Sequence, residues 1–187
     1  MQHRPLVFLD IETTGGSHLN SRVLEIGALR VENGHVVATM NRLIDPQESV
    51  PTFITSLTGI SNEMIVGAPT FSEVVDELHG LLDGAIFIAH NVAFDYNFIK
   101  MEYRNIQRPF NMDRLCTVRL SRSLYPAQRR HNLDTLIAAH GFTVSSRHRA
   151  LDDAQVLFDF YQKSIAEHGL KAHAAMNKIL TKARTTN

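Results

Sequence analysis

Residues 5–14 read P-L-V-F-L-D-I-E-T-T, and this stretch decides the fold. Its apolar run reads as a buried strand over residues 5–11. Side chains alternate along a strand, so Asp10 and Glu12 share one face while Leu9 and Ile11 share the other. Two carboxylates on one face of an apolar strand repel each other and lose hydration. A strand end that has already reached water tolerates them, and Thr13-Thr14-Gly15-Gly16 does mark a loop there. The alternative is a site that compensates them with a cation or with basic side chains.

Working outward, residues 23–31 and 35–44 read as two strands separated by a hairpin turn at Glu32-Asn33-Gly34. Thr70-Phe71-Ser72-Glu73 is a capping-box pattern. It opens a helix over 70–83 with apolar residues at Val74, Val75, Leu78, Leu81 and Leu82. A short buried strand is expected at 85–89, a helix at about 93–105 and an edge strand at 110–113. Helices follow at 114–124, at 131–140 (stopped by Gly141) and at about 150–168. Residues 170–183 read as a last basic helix or a tail. Strands come early and strand–helix alternation later, which predicts an α/β chain with a mixed sheet covered by helices. No repeat or long linker divides it. The domain reading is one domain over 1–169 followed by a basic C-terminal helix or tail over 170–187.

The composition sets limits. The chain has 187 residues, 44% of them hydrophobic and 20% charged, enough to bury an ordinary core without disulfides or a structural metal. A single cysteine, Cys116, cannot form an intramolecular disulfide and fits a reducing compartment, so a cytoplasmic location is expected. No apolar run approaches the roughly 18 residues of a membrane span, and the N-terminus lacks a signal-peptide pattern. Lysine plus arginine equals aspartate plus glutamate, 19 each, yet the charge is segregated. Residues 60–99 hold no lysine or arginine and six acids, whereas residues 100–149 hold ten lysines and arginines and three acids. Such a block is either a set of solvated helix faces or a surface for a polyanion.

Three further groups carry potential chemistry. Asp95 follows the strand 85–89 and the segment H-N-V-A-F; alone it reads as a first-turn helix acid favoured by the helix dipole. His148 and Asp153 lie in H-R-A-L-D-D-A, residues 148–154. On one helix a pair five residues apart points about 140° apart, so they converge only if His148 precedes the helix and Asp153 lies on its first turns. Asp152 competes with Asp153 for any such function. Taken together, carboxylates of this kind suit hard divalent cations, and two such ions can activate water against a phosphodiester while a histidine removes the proton. Zinc-type ligand spacing, a Walker-type phosphate loop and a G-x-S-x-G elbow are all missing.

These motifs resemble the DEDDh branch of the DnaQ-like 3′→5′ exonucleases, the group that includes the exonuclease domain of the DNA polymerase III epsilon subunit. L-D-I-E-T-T-G at 9–15, H-N-V-A-F-D at 90–95 and H-R-A-L-D-D-A at 148–154 look like the three family motifs in order. E-I-G-A at 25–28, L-T-G-I at 57–60, P-T-F at 69–71 and H-N-L-D-T-L at 131–136 are secondary matches. The resemblance implies an RNase H-like fold with a central five-stranded mixed sheet. It implies two Mg²⁺ ions, replaceable by Mn²⁺, held by Asp10, Glu12, Asp95 and Asp153, with Asp153 selected over Asp152. Glu12 and His148 become the catalytic side chains, with His148 as general base. Thr13, Thr14, Leu57, Thr58, His90 and Asn91 become the substrate-binding residues.

The expected activity is release of nucleoside 5′-monophosphates from DNA 3′ ends, single-stranded or frayed, in proofreading or repair, with a DNA polymerase subunit as an expected partner and no membrane association. RNA ends are the alternative substrate, separated from DNA only by contacts to the 2′-OH. A non-catalytic nucleic-acid or polymerase-binding module is the alternative of another class. Phe94, Tyr96 and Tyr125 are candidates for stacking on bases, with core packing the competing job for Phe94.

Overall fold

The structure, a computed structural model, describes residues 4–183. The first strand, β1 (Leu6–Thr13), is longer than its apolar run and carries both Asp10 and Glu12 inside it. The chain then forms β2 (Val23–Glu32) and β3 (His35–Leu43), joined at Asn33 and Gly34, both in the left-handed region as a tight hairpin requires. A short helix α1 (Thr52–Thr58) follows, which no sequence pattern announced. Next come α2 (Phe71–Leu82), with its capping box formed by Thr70 and Glu73, then β4 (Ile86–Ala89) and α3 (Ala93–Asn105). The second half holds β5 (Arg114–Cys116), α4 (Thr117–Leu124), α5 (Leu133–His140), α6 (Ala150–His168) and α7 (Leu170–Ile179).

The sheet order is β3-β2-β1-β4-β5. The hairpin pairs β1, β2 and β3 antiparallel, whereas β4 and β5 join β1 in parallel, giving the expected five-stranded mixed sheet. Alternation along β1 divides the core. Val7, Leu9 and Ile11 pack under α2 and α3, while Leu6 and Phe8 pack under the later helices α4 to α7. Asp10 and Glu12 continue the second row, on the face that α6 covers.

The edge strand falls at 114–116 rather than at 110–113. Phe110 packs as a loop residue against Phe87, Tyr96 and Tyr103. Tyr96 accepts a hydrogen bond at its hydroxyl from the Met112 amide, so the run 110–113 is held by side chains and pairing begins only afterwards. The helix expected over 114–124 correspondingly starts at Thr117. Segment 170–179 is helical, with Ala172, Ala175, Met176 and Ile179 buried against α4 and α6. Beyond it, Thr181 exchanges two backbone hydrogen bonds of 2.9 Å with Arg114 and so covers the β5 edge. Asp113 gathers Arg4 Nη1 at 2.6 Å, Lys182 Nζ at 3.0 Å and the Ala183 amide at 2.8 Å. Among the described residues no helix is long and apolar enough to cross a membrane.

Candidate active site

The register of the sheet places the acids. Asp10 lies opposite Gly27 and Glu12 opposite Glu25 on β2, and the β1–β2 ladder breaks at a bulge between Glu12 and Thr13. A bulge at this point ends the pairing and re-aims the following loop. The N-terminus of α6 is then pressed onto β2 at two points. Gly27 offers no side chain, and a Cβ there would stand 2.1 Å from the carbonyl carbon of Ala150 and from the Leu151 nitrogen. Glu25, 1% exposed, accepts hydrogen bonds from Arg149 Nη2 at 2.7 Å and from the Ala150 amide at 3.0 Å, so a buried carboxylate caps the helix. These contacts aim the first turn of α6, and with it Asp153, at Glu12.

His148 sits two residues before α6 with φ of 59°, and Asp153 is buried on the first turn. Ligand atoms of Glu12, His148 and Asp153 lie within 4.8 Å of one another. Asp152 turns elsewhere and accepts a hydrogen bond from the Ser146 amide at 2.9 Å. Asp95, on the first turn of α3, reaches across to the backbone N–H of Ile11, and its Oδ2 is buried without a hydrogen-bond partner.

The carboxylates are close enough to oppose one another's ionisation. Burial, then the charges of Asp95, Asp153 and Glu12, holds Asp10 well above the usual carboxylate range. Glu12 is pushed up to about 7 by burial and then by Asp153 and Glu25. Burial is also the main cause that lifts Asp95 to about 8, against hydrogen bonds from backbone amides that favour its charged form. Asp153 is raised by burial and restrained by Arg147 and His148. Arg147 pairs through Nη1 with both oxygens of Asp153 and through Nε with Asp134 at 2.8 Å. One guanidinium thus offsets part of the negative charge of Asp10, Glu12 and Asp153. A donor set of four carboxylates, one with an orphaned buried oxygen, fits hard divalent cations such as Mg²⁺.

A pH dependence follows. A carboxyl whose folded value lies above its unfolded one binds more protons in the folded state, so its contribution falls as pH rises from the unfolded to the folded value. For Glu12 and Asp95 that window runs from ordinary carboxylate values to about 7 and about 8. The metal-free protein is expected to lose stability progressively between about pH 5 and about pH 8.5. A divalent cation binds the deprotonated form, so Mg²⁺ should raise the melting temperature far more at the alkaline end. Thermal scans with Mg²⁺ and with chelator across this range check it; a Mg²⁺ shift independent of pH would contradict the assignment.

The substrate-binding candidates are more dispersed. Thr13 Oγ1 donates to the Gly15 carbonyl at 2.8 Å, and Thr14 Oγ1 donates to Glu48 at 2.5 Å. Both hydroxyls therefore shape the loop after β1. Thr58 is buried and donates to the Ile54 carbonyl, whereas Leu57 beside it on α1 is 54% exposed, as is Phe53 one turn earlier at 65%. His90 follows β4 with its Nδ1 2.9 Å from Thr117 Oγ1; burial pushes its ring down to about 4, so it is neutral. Asn91 is exposed with φ of 63°. Tyr96 is buried and hydrogen-bonded to backbone, and Tyr125 donates to Glu167 at 2.6 Å, so neither offers a free stacking face at the acids.

Reading the sequence missed Glu25, Arg147 and Arg149 as parts of this region. The E-I-G-A segment held a usable signal: an acid inside an otherwise apolar strand, two residues from a glycine.

The RNase_T family model, described as Exonuclease, matches residues 7–161. DNA polymerase III PolC-type from Caldanaerobacter subterraneus subsp. tengcongensis is 35% identical over 177 residues, covering 93% of this chain and 13% of that protein. The 3′-5′ exonuclease DinG of Bacillus subtilis (strain 168) is 38% identical over 159 residues, 83% of this chain and 17% of that one. The chain thus spans only a small part of the length of these curated relatives. Among solved structures, Exonuclease X in complex with 5′ overhanging duplex DNA superposes with a TM-score of 0.70 at 23% identity, over 92% of this chain and 98% of that one. The nuclease domain of 3′hExo, a DEDDh family member bound to rAMP, gives 0.76 at 15% identity over 99% and 98%. Similarity at these identities is similarity of fold, and it identifies the sheet and its helices as the RNase H-like exonuclease architecture.

Proposed function

The chain belongs to the RNase_T exonuclease family, 3′→5′ exonucleases of the DEDDh type, and from that premise we propose that it removes nucleotides one at a time from the 3′ ends of single-stranded or frayed DNA. The products are nucleoside 5′-monophosphates. The observation that carries this reading is the convergence of Glu12, His148 and Asp153 within 4.8 Å beside Asp10 and Asp95, from three separate parts of the chain. Asp10, Glu12, Asp95 and Asp153 would hold two Mg²⁺ ions, with Mn²⁺ as a substitute. Bound there, the ions would supply Lewis acidity and neutralise the phosphodiester. His148 takes the proton of the attacking water, its ring lying within 4.8 Å of ligand oxygens of Glu12 and Asp153. Glu12, within 4.8 Å of His148 and Asp153, orients that water. The 35–38% identity to PolC-type polymerase and DinG proteins favours DNA over RNA and a place in replication or repair, with a polymerase as partner.

A 5′-labelled oligonucleotide with Mg²⁺ tests the reading. A ladder shortening by single nucleotides, with 5′-monophosphates released, is expected on single-stranded DNA and on a mismatched 3′ terminus. Faster loss of RNA would reassign the substrate, and binding without turnover would make the chain a nucleic-acid-binding module. In the same assay His148→Ala is expected to lose about 10²- to 10⁴-fold in kcat at neutral pH. It should keep its Mg²⁺-dependent thermal shift. A variant with the pH–rate profile of the parent would remove His148 as the base.

A further inference from the structure

One cavity, of about 550 Å³, opens beside the acid cluster and is lined by Arg114, Arg119, Arg122, His131, His90 and Asn91 among others, with no carboxylate in its wall. Its place follows from the sheet. Leu6 pairs with Ile86 and Phe8 with Ile88 on β4, so two residues further Asp10 is level with His90. Ala89 pairs with Cys116 on β5, so His90 is level with Thr117. The cavity therefore continues the sheet edge that carries the acids, one strand further on, where β4 and β5 give way to α3 and α4.

The arginines there differ from most of those elsewhere. Arg4, Arg22, Arg30, Arg42, Arg108, Arg147 and Arg149 all pair with carboxylates. Among the described residues Arg114, Arg119 and Arg122 make no ion pair. They are nonetheless placed. The Arg114 guanidinium lies 4.4 Å from the Tyr96 ring centroid, and that ring is fixed by the hydrogen bond from the Met112 amide. Arg119 Nη1 donates to the Ile179 carbonyl at 3.4 Å, and Arg122, one turn further along α4, is exposed. Arg129 and Arg130 add two exposed cations just before His131. Gathering like charges without a counter-charge costs free energy unless a polyanion completes the surface. A cavity of this size holds one or two ligand groups and not a duplex groove.

We propose that this cavity is the subsite for the sugar–phosphate backbone immediately 5′ of the scissile bond, with Arg114, Arg119 and Arg122 on successive phosphates. The inference rests on the exonuclease reading for its direction: with the 3′ end at Asp10, a strand that runs on across His90 enters the cavity with its 5′ side. Arginine forks read phosphate oxygens rather than bases, so the subsite is indifferent to sequence and grips any strand long enough to reach it.

The test compares two substrates and one binding measurement. Thymidine 5′-p-nitrophenyl phosphate has a scissile phosphodiester but no nucleotide on its 5′ side; a single-stranded 12-mer has both. Arg119→Glu/Arg122→Glu is expected to lower kcat/KM on the 12-mer by roughly tenfold or more and to leave the nitrophenyl ester within about twofold. In chelator, the slope of log affinity against log salt for the 12-mer should flatten by about 0.7 per lost phosphate contact. Arg122→Glu alone, at an exposed site without partners, guards against a folding effect and should show about half the change in slope. Equal losses on both substrates, or an unchanged salt slope, would overturn the subsite. If the parent protein hydrolyses neither substrate, the exonuclease reading falls, and the salt slope still judges the cavity.

Discussion

Asp10→Asn is expected to lower hydrolysis by about a thousandfold or more while making the metal-free protein more stable. The side chain keeps its size, so packing under α6 is preserved. What disappears is a charge that burial and three neighbouring acids already oppose. Removing it relieves repulsion on Glu12, Asp95 and Asp153, and the gain should grow toward alkaline pH, where those groups ionise. The same change deletes an anionic ligand from the proposed cation site, and several kcal/mol of barrier lowering go with it. Steady-state hydrolysis with Mg²⁺ and melting curves in chelator measure the two sides. Activity near that of the parent would remove Asp10 from the site, and lost stability without metal would contradict the electrostatics. Asp153→Asn should behave alike in activity. Asp152→Ala should be far milder, because its carboxylate only steadies the Ser146 amide.

Gly27→Ala is expected to be the most damaging conservative change in the sheet. An added methyl would meet the carbonyl carbon of Ala150 and the Leu151 nitrogen at 2.1 Å, and both are backbone atoms of a helix that cannot rotate aside. Either α6 lifts or β2 bends, at a cost of roughly 3 kcal/mol or more. For a chain of this size that is about 6–12 °C in melting temperature. Lifting α6 also carries His148 and Asp153 away from Glu12, so activity should fall further than stability alone explains. Gly80→Ala is the control: it lies in α2 with open space around its Cβ position and should be neutral or stabilising by up to about 1 kcal/mol. Equal melting temperatures for the two variants would show that the α6 contact yields.

The sequence revealed the parts of this molecule that obey local rules. Alternation over 5–12, the Asn33-Gly34 turn, the capping box at Thr70 and the apolar spacing of α2 each follow from nearest neighbours in the chain. The order of the three acidic motifs revealed the site through its resemblance to a known exonuclease pattern. What stayed hidden depends on distant partners. The strand at 114–116 exists because β4 presents an edge, and Phe110 is drawn into the aromatic core ahead of it. The short helix α1 has neither an acidic first turn nor a side-chain cap to announce it. Arg147 looked like one more cation in a basic loop, and only the folded chain sets it against Asp153 and Asp134.

Asp113 has a consequence of another kind. Because Arg4, Lys182 and Ala183 all reach this one carboxylate, the polypeptide enters and leaves the fold at neighbouring points. A unit whose entrance and exit adjoin can be spliced into a surface loop of a larger protein, like a bead on a stalk, without stretching its host.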